Sequence, residues 1–287
     1  EMLFSDVELS YVSNNISLLS SHMLVDPVRM AIRPATDTTE GDLLLIVNGT
    51  NDTGYRAAST GFTGGIAAFM LNKQQNVVAP SFLTTDGVIL DVAVDLDTIY
   101  LTVKRTIGGV DKYYVEVFDD DFTTDSAVQT LTGFSGTTYA GHDHINGKTV
   151  SVIRDDIVDP NVTVAGGNIT TLLQPANYVE AGLDYDVIVE TMPIELQAPT
   201  GNVQSIRKRV VEVSPILYRS QNIAINDVDI NLQTLPLSPN GGVANFTGVR
   251  KVQGFLGYTR EAKIKLTMTK PLFLTVLALD YSVSVGG

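Results

Sequence analysis

The sequence contains one cluster of residue types that bind metals, His142-Asp143-His144. If these residues form a strand, both imidazoles share one face and can ligate one ion, with the carboxylates of Asp119–Asp121 as further ligands. Two histidines without a third fixed ligand are a poor match to the spacing of known zinc sites. The Asn146-Gly147 pair that follows is typical of a hairpin turn, so we favour a polar turn and predict no metal site.

The acidic run Asp119-Asp120-Asp121, with Asp125 close by, offers oxygen ligands of the kind that calcium prefers. The run lacks the central glycine and the terminal glutamate of an EF-hand loop. We therefore interpret it as a solvated acidic turn, which also discourages pairing at a sheet edge. Glycoside hydrolysis needs a pair of carboxylates, but with 32 acidic residues in the chain the sequence singles out no pair.

Arg207-Lys208-Arg209 is a basic triplet in a chain whose formal net charge is −13. Strand alternation places Arg207 and Arg209 on one face and Lys208 on the other. Contact with phosphate is one interpretation of the triplet. We favour ion pairs with Asp or Glu of a neighbouring strand or subunit, and we predict that the triplet forms a salt bridge across a subunit interface.

Motifs for other kinds of chemistry are absent from the sequence. The 287 residues include no cysteine, which excludes disulfides, thiolate zinc sites and cysteine nucleophiles. Gly64-Gly65 and Gly166-Gly167 lack the strand–loop–helix context of a phosphate-binding loop, and there is no Gly-x-Ser-x-Gly elbow. We therefore predict a protein that has no cofactor and is not an enzyme.

The residue pattern around these candidates is β almost throughout. Short runs rich in Val, Ile, Leu, Thr, Tyr and Phe recur between Gly, Asp, Asn and Pro, as expected for half-buried strands. In the first half these runs are Val28–Arg33, Asp42–Val47, Ile66–Leu71, Val77–Phe82, Val88–Val94, Thr98–Arg105 and Tyr113–Phe118. Gly108-Gly109 predicts a hairpin between the last two runs. Ile16–Leu24 is the one good helical candidate, and Asp26-Pro27 would end that helix.

The spacing of the strands favours two kinds of architecture in the two halves. Val28–Phe82 fits one four-stranded meander of the propeller type, and Val88–Phe118 fits most of a second one. Two such sheets cannot close a ring, so a propeller would need strands before Glu1. Further strands in the second half, with prolines such as Pro160 and Pro215 between them, predict an antiparallel sandwich. These strands are Thr149–Ile153, Val162–Val164, Asn168–Leu172, Asp184–Met192, Arg207–Ser214, Ile223–Leu232, Ala262–Thr269 and Leu272–Val283.

We therefore expect an all-β chain with a propeller-like region at 1–125 and a β-sandwich-like domain at 126–287. Residues 1–125 hold 7 Lys/Arg and 18 Asp/Glu, net −11, whereas residues 126–287 hold 12 and 14, net −2. The stretch from Asp119 to Gly147 is rich in Thr, Ser, Gly and Asp, which is typical of a linker or a long loop. No apolar run reaches the ~20 residues of a membrane span. The first residues lack the basic region of a signal peptide, and a start at Glu1 fits a piece of a longer protein.

Five segments in a fixed order resemble the C-terminal part of a known family. They are GHDHINGKTVSVIRDD from Gly141, VTVAGGNITT, YVEAGLDYDVIVETMPIE, RKRVVEVSPILYRS and GYTREAKIKLTMTKPLFLTVLALDYSVSVGG. The set resembles the nozzle or hub proteins of short-tailed bacteriophages, also called tail tubular B-type or stabilisation proteins. Upstream, VILDVAVDLDTIYLTVKRTIGGVDKYYVEVF resembles the propeller-derived strands that precede that part. The family often has an Arg just after the equivalent of Tyr113–Glu116, where this chain continues with Val117-Phe118-Asp119.

The resemblance implies a structural protein of the virion. Such proteins form a ring, usually a hexamer, below the portal and adaptor, they anchor other tail proteins such as fibres, and the phage DNA leaves through the lumen. An acidic lumen suits this passage, because like charge prevents DNA from binding to the wall. A receptor- or carbohydrate-binding β module remains an alternative, although aromatic residues make up only 7% and Trp is absent. A propeller glycosidase is a third interpretation.

The segment Gly49–Gly65 is longer than its position requires. It joins two runs that we predict to be adjacent antiparallel strands, and it is polar and rich in glycine. We expect the segment to project from the sheet without contributing to the core. Its Tyr55, Arg56 and Phe62 would contact a neighbouring subunit or tail protein, or narrow the lumen. A mobile surface loop is the alternative.

Overall fold

The predicted all-β class is confirmed by the computed structural model of the chain. The structure describes residues 2–5, 10–13, 15–36, 40–50, 60–72, 75–131, 137–170, 178–195, 197–198, 201–202, 206–232, 243–255 and 257–286. Its helical elements within these ranges are the 3-10 helices Ser21–Met23, Thr60–Phe62 and Asp143–Ile145. The chain divides into two compact units, Glu1–Asp121 with His144–Gly147 and Phe122–Asp143 with Lys148–Gly287.

The first unit contains a hairpin and two antiparallel meander sheets. The hairpin is formed by β1 (Met2–Ser5) and β2 (Ser10–Ser13). The four-stranded sheet follows the order of the chain, β3 (Pro27–Arg33), β4 (Asp42–Asn48), β5 (Ile66–Asn72) and β6 (Val77–Leu83). The three-stranded sheet is β7 (Val88–Asp95), β8 (Thr98–Ile107) and β9 (Val110–Phe118). The predicted meanders are therefore correct, and Gly108 and Gly109 make the β8–β9 turn at φ angles of 59° and 81°.

The two meander sheets pack face to face. Alternate residues of both sheets form one buried cluster, which contains Leu45, Val47, Ile66, Ala68, Ile89, Val92, Ile99 and Val103. The opposite face of the β3–β6 sheet forms a second cluster, in which Met23 packs with Ala67, Phe69 and Leu71. Because β4 and β5 are covered on both faces, their sequences DLLLIVN and IAAFMLN are continuous apolar runs and do not alternate.

The predicted helix at Ile16–Leu24 is wrong. Residues 16–20 form turns, and the short 3-10 helix Ser21–Met23 follows them. The side-chain oxygen of Asn15 accepts hydrogen bonds from the amide (2.9 Å) and the hydroxyl (3.0 Å) of Ser17, which is a local alternative to helical bonding. Met23 is buried against the sheet, whereas Leu18 and Leu19 remain exposed at 71% and 93%.

The ends of the segment Gly49–Gly65 lie close together, as predicted, since the amide of Gly64 donates to the carbonyl of Gly49 at 3.1 Å. Tyr55 and Arg56 lie outside the described residues. Phe62 packs inward: its ring meets Phe82 edge-on at 4.8 Å between centroids, and the side-chain amide of Asn48 donates to its carbonyl at 2.7 Å. The expectation that the segment contributes nothing to the core is therefore wrong at Phe62.

The second unit begins with a four-stranded antiparallel sheet. Its order is β10 (Asp125–Leu131), β15 (Tyr178–Leu183), β12 (Thr149–Arg154) and β13 (Ile157–Thr163), and β11 (Thr138–Ala140) pairs separately with β14 (Asn168–Thr170). The stretch from Asp119 to Gly147, which we expected to be a linker or long loop, therefore supplies two strands. Its composition is misleading because a partly exposed strand such as DSAVQTL also places polar residues between apolar ones.

The remaining strands of the second unit form two sheets around one apolar core. One sheet is β16 (Ile188–Glu190), β24 (Lys265–Thr267), β20 (Ala224–Ile225) and β21 (Val228–Asp229). In the other, β19 (Lys208–Ser220) pairs with β22 (Phe246–Val249) and β23 (Val252–Gln253) and also with β25 (Val276–Val285). A small hairpin joins β17 (Gln197–Ala198) to β18 (Gly201–Asn202). The core contains Val210, Val213, Leu217, Ile223, Ile225, Ile264 and Leu266.

Two prolines lie within strands and not between them as predicted. Pro160 belongs to β13, which is an edge strand in the described sheet. Pro215 belongs to β19, at the point where pairing with β23 ends and pairing with β22 begins. Neither position requires an N–H group for a ladder bond, so both strands tolerate a proline.

We predict that Phe62→Ala lowers the free energy of unfolding by about 2 kcal/mol, because it removes a partly buried ring from the cluster around Met23. Urea unfolding followed by circular dichroism measures the change. Leu19→Ala is the matched control, since Leu19 is 93% exposed, and it should shift the free energy by about 0.5 kcal/mol or less. Equal effects of the two substitutions would contradict the inward packing of Phe62.

Candidate functional site

The two histidines of the predicted cluster lie in a loop and a 3-10 helix, not in a strand. His142 is 1% exposed, and its amide donates to the carbonyl of Gly167 at 3.0 Å. His144 lies in the 3-10 helix, where its ring contacts Tyr114 edge-on at 6.1 Å between centroids. The predicted turn at Asn146-Gly147 is present, with Gly147 at a φ of 83°. Within the described ranges no three His, Asp or Glu side chains are grouped as metal ligands.

Asp143 is placed against the turn that precedes β14. A Cβ atom at Gly167 would overlap the carboxylate of Asp143, and Gly167 has a φ of 73°. Both the space and the backbone conformation therefore require glycine at position 167. The segment from His142 to Asp143 is thus a packing contact in the second unit.

The acidic run forms an exposed turn, as predicted. The side chain of Asp119 accepts a hydrogen bond from the amide of Asp121 at 3.0 Å. This Asx turn stabilises the turn that follows β9. The carboxylates of Asp120 and Asp121 face solvent.

The basic triplet is divided between the interior and the surface. Lys208 is 1% exposed, and its ammonium group donates to the carbonyls of Ile194 (2.9 Å) and Arg260 (3.4 Å). The prediction that Lys208 contacts a neighbouring subunit is therefore wrong, because the side chain is enclosed by its own unit. The guanidinium of Arg209 lies 5.2 Å from the centre of the Tyr258 ring, a cation–π contact. Arg207 is exposed, so it remains the member of the triplet with a free surface.

A shallow cavity of about 260 Å³ opens beside Lys208 and Arg209. Two of the lysines that line it are paired: Lys263 with Glu190 at 2.7 Å, and Lys265 with Asp227 at 3.0 Å. The hydrogen bond that Lys263 donates to Glu190 raises the pKa of Lys263, since it favours the charged ammonium. These are partly exposed ion pairs that contribute little to stability. They form no nucleophile–base arrangement.

The sequence analysis missed Glu180, a buried carboxylate that accepts five hydrogen bonds. Its Oε1 atom accepts from the amides of Thr123 and Thr124 (2.9 Å each) and from their hydroxyls (3.3 and 2.8 Å). Its Oε2 atom accepts from the hydroxyl of Tyr178 at 2.7 Å. Gly182 allows this approach, because a Cβ atom there would overlap the hydroxyl of Thr124. A signal was available: a Glu inside the apolar strand YVEAGL has to be hydrogen-bonded or paired.

Arg105 has the corresponding role in the first unit. It is 2% exposed, and its Nε and Nη2 atoms each donate to a carboxylate oxygen of Glu116 at 2.8 Å. The same guanidinium also donates to the hydroxyl of Thr85 at 2.8 Å and to the carbonyl of Asp86. The bidentate geometry joins β8 to β9 and to the turn before β7. Arg105 and Glu180 thus use their donors and acceptors within the protein, which is the arrangement of structural groups.

A surface is the remaining candidate. On β9 the side chains of Tyr113, Val115 and Val117 are 65%, 73% and 53% exposed, and Tyr100 of β8 beside them is 37% exposed. We call these four residues the tyrosine face. On the other side of the two-sheet stack, Met30 (74%) and Ile32 (49%) of β3 are exposed, as are Leu18 and Leu19. We call these four residues the methionine face. Apolar patches of this kind are typical of interaction surfaces.

No family model matches the chain, and no curated protein matches it at a significant level. In the ranges that the structure describes, no helix is long and apolar enough to cross a membrane.

We predict that Lys208→Met lowers the free energy of unfolding by about 1–3 kcal/mol, because it leaves two buried carbonyls without a donor. Arg207→Met, one residue away on the surface, should change it by about 0.5 kcal/mol or less. Thermal or urea unfolding of both variants measures the difference. If Lys208→Met proved as stable as the unchanged protein, the interior role of Lys208 would be refuted.

We also predict an alkaline loss of stability that depends on Tyr178. Burial, together with the hydrogen bond to Glu180, raises the pKa of Tyr178 well above its ordinary value. The unfolded chain therefore loses this proton near pH ~10 while the folded protein keeps it, so stability falls as the pH rises above that value. Tyr178→Phe should be less stable than the unchanged protein at pH 8, but should lose less stability between pH 9 and 11.

Urea midpoints at pH 8, 9, 10 and 11 test this prediction. The control is Tyr218→Phe, because Tyr218 is 49% exposed. Its pH profile should run parallel to that of the unchanged protein. Parallel profiles for Tyr178→Phe as well would show that Tyr178 does not couple folding to pH.

Proposed function

We propose that this chain is a structural protein of a virion, a ring-forming subunit of the nozzle or hub of a phage tail. In this role the ring conducts the genome during ejection and anchors neighbouring tail proteins. The subunits would form a ring, with a hexamer as the expected size, and the protein would have no enzymatic activity.

The observation that carries the proposal is the fixed order of the five segments that resemble this family. GHDHINGKTVSVIRDD spans the 3-10 helix Asp143–Ile145 and β12, RKRVVEVSPILYRS spans β19, and the closing segment spans β24 and β25. Val150, Val213 and Leu266 in these segments are buried. The resemblance therefore rests on residues that form the strands and cores of the second unit, which supports a shared fold more than a shared surface loop would.

The distribution of charge supports the conducting role. Residues 1–125 carry a net charge of −11. Many of the acidic side chains, such as Asp95, Asp97 and Asp119–Asp121, are exposed. A wall of this charge repels the phosphate backbone, so DNA passes without being held.

The second candidate is a receptor- or carbohydrate-binding module, which the exposed Tyr100 and Tyr113 favour because aromatic rings stack on apolar sugar faces. A glycosidase has less support. The buried carboxylate of Glu180 accepts a hydrogen bond from the amide of Thr123, and the buried carboxylate of Asp159 forms an ion pair with Arg154 at 3.1 Å. Neither carboxylate is therefore positioned as an acid or a nucleophile.

Imaging the purified protein by negative stain, together with light scattering between about 1 and 100 µM, tests the proposed function. We expect ring-shaped particles with a central channel and a mass that is a multiple of the subunit mass. A monodisperse monomer throughout this range would count against the ring.

Fluorescence anisotropy with a short labelled duplex distinguishes a conduit from a DNA-binding protein. We expect no binding at physiological salt, because the acidic surface offers few cations to phosphate. Nanomolar affinity with a steep dependence on salt would overturn the conducting role. Binding to a glycan array by a monomer would favour the second candidate.

A further inference from the structure

We propose that the cavity beside Arg209 in the second unit binds carboxylate side chains of an acidic peptide segment that belongs to another protein. The inference goes beyond the proposed function, because it needs neither a ring nor a virion. It rests on the residues that line the cavity, on the way its cations are held and on the distribution of charge along the chain.

The cavity lies in the part of the chain where positive charge is concentrated. Residues 206–287 hold 10 Lys/Arg and 5 Asp/Glu, net +5, whereas residues 1–205 hold 9 and 27, net −18. The charged residues that line the cavity are Glu190, Lys208, Arg209, Glu261, Lys263 and Lys265. An excess of cations in one region of an acidic chain attracts an acidic partner to that region.

Arg209 is a cation whose charge is not neutralised by any carboxylate of the described residues. Its guanidinium contacts the Tyr258 ring at 5.2 Å from the ring centre, and its Nε atom is buried without a hydrogen-bond partner in the described ranges. The hydroxyl of Tyr258 lies 3.3 Å from that of Ser284, so the ring that restricts the guanidinium is itself held. A guanidinium in a restricted orientation is suited to a carboxylate, which it binds through two parallel N–H···O bonds.

Lys263 and Lys265 supply further donors on one side of the chain, because the buried Ile264 lies between them. Each ammonium group donates to one carboxylate oxygen, Lys263 to Glu190 at 2.7 Å and Lys265 to Asp227 at 3.0 Å. An ammonium group has three donors, so these bonds leave donors for a ligand. The side chains of the two lysines are 38% and 35% exposed, and a ligand can therefore reach them from solvent.

Hydrogen bonds hold the backbone that carries these cations. The side-chain oxygen of Asn226 accepts from the amide of Lys265 at 2.9 Å, and the amide of Asn226 donates to the carbonyl of Lys265 at 2.8 Å. Next to Arg209, the amide of Lys208 donates to the carbonyl of Thr259 at 2.7 Å, and the amide of Thr259 donates back at 2.9 Å. Binding therefore orders less of the protein than it would if the cations stood on a mobile loop.

The shape of the cavity favours a peptide over other sources of negative charge. Its volume of about 260 Å³ corresponds to about nine waters at about 30 Å³ each, which is room for one or two side chains. Sites for free small molecules enclose most of the ligand, whereas this cavity is shallow. A peptide can place a carboxylate in it while its remaining residues pack outside. Nucleic acid is disfavoured by Glu190 and Glu261 in the lining and by the net charge of −13.

Fluorescence anisotropy of a labelled peptide, Gly-Glu-Glu-Glu-Glu-Gly, titrated with the full chain tests the site. We expect saturable binding at about 50 mM salt that weakens strongly at about 500 mM, because salt screens partly exposed charges. The matched peptide Gly-Gln-Gln-Gln-Gln-Gly has the same length without the charge, and it should not bind. No binding of the glutamate peptide, or equal binding of both peptides, would overturn the carboxylate site.

Arg209→Gln should weaken binding of the glutamate peptide about 10-fold or more, because it removes hydrogen bonds to a charged ligand. Arg207→Gln is the matched control, since it removes the same charge two residues away at an exposed position outside the cavity. It should bind within about twofold of the unchanged protein, because a distant exposed charge is screened. Lys263→Gln gives a second variant at a partly exposed position, and circular dichroism checks that each variant is folded. Equal losses in Arg209→Gln and Arg207→Gln would refute binding in the cavity.

Glu261→Gln provides a measurement in the opposite direction. It removes an exposed carboxylate from the lining, so it should tighten binding of the glutamate peptide severalfold, an effect that damage to the fold would not produce. Asp280→Asn is the matched control, because Asp280 is an exposed carboxylate of β25 outside the lining. If Glu261→Gln bound the peptide no more tightly than Asp280→Asn, the peptide carboxylates would not lie in this cavity.

Competition with unlabelled citrate, inorganic phosphate and a short duplex separates the sources of negative charge. We expect the unlabelled glutamate peptide to displace the label at much lower concentrations than any of the three. Displacement by citrate or phosphate at the concentration of the peptide would show a site for a free small anion, and displacement by the duplex would show a nucleic-acid site; either result would overturn a protein partner. Because a monomer should also bind the peptide, failure of this test leaves the proposed ring untouched, and absence of a ring leaves the cavity site untouched.

Discussion

The first unit is organised by the need to cover both faces of the β3–β6 sheet. Strands β4 and β5 are apolar at nearly every position, so neither face can remain in water. The β7–β9 sheet covers one face through Val103 and Ile99, and the segment around Met23 covers the other with help from Phe62. The turn segment, the inward position of Phe62 and the face-to-face arrangement of the sheets all follow from this requirement. The β7–β9 sheet is covered once, which is why its outer face is the exposed apolar surface.

Buried polar side chains hold the irregular segments at the ends of the strands in both units. Arg105 holds the turn before β7, Glu180 holds the residues that lead into β10, and Lys208 holds the backbone at Ile194 and Arg260. Burying any of these charged groups without a partner would cost free energy, but each of them forms hydrogen bonds with several donors or acceptors. Their hydrogen bonds are directional, so they position irregular segments that apolar packing alone would leave less defined. Catalysis by Arg105, Glu180 or Lys208 would require their donor and acceptor atoms to be available to a substrate. Those atoms already form hydrogen bonds within the protein.

The sequence predicted the first-half strands well and the environment of single side chains poorly. Strands β3 to β9 were predicted within a few residues, because turns such as Gly108-Gly109 separate runs of β-forming residues, whereas β1 and β2 were not predicted. The strand Tyr178–Leu183 was missed, since Glu180 and Gly182 break its apolar pattern for reasons that only the packing shows. Lys208 was assigned to the surface because lysine usually lies there, and its burial depends on two carbonyls distant in sequence. Contacts between residues that are distant in sequence leave little trace in the neighbouring residues. The roles of the candidate contact residues were therefore harder to predict from the sequence than the strands were.

The long pairing between β19 and β25 affects how the second unit responds to a mechanical load. The two strands run antiparallel, and their register extends from Lys208 opposite Val285 to Leu217 opposite Val276. The hydrogen bonds of such a pair lie perpendicular to the strands. A force directed along β25 that slides it past β19 therefore strains many bonds at once, whereas a force that peels one end away breaks them in succession. The direction in which a neighbouring protein pulls on this strand would decide whether the second unit resists or yields.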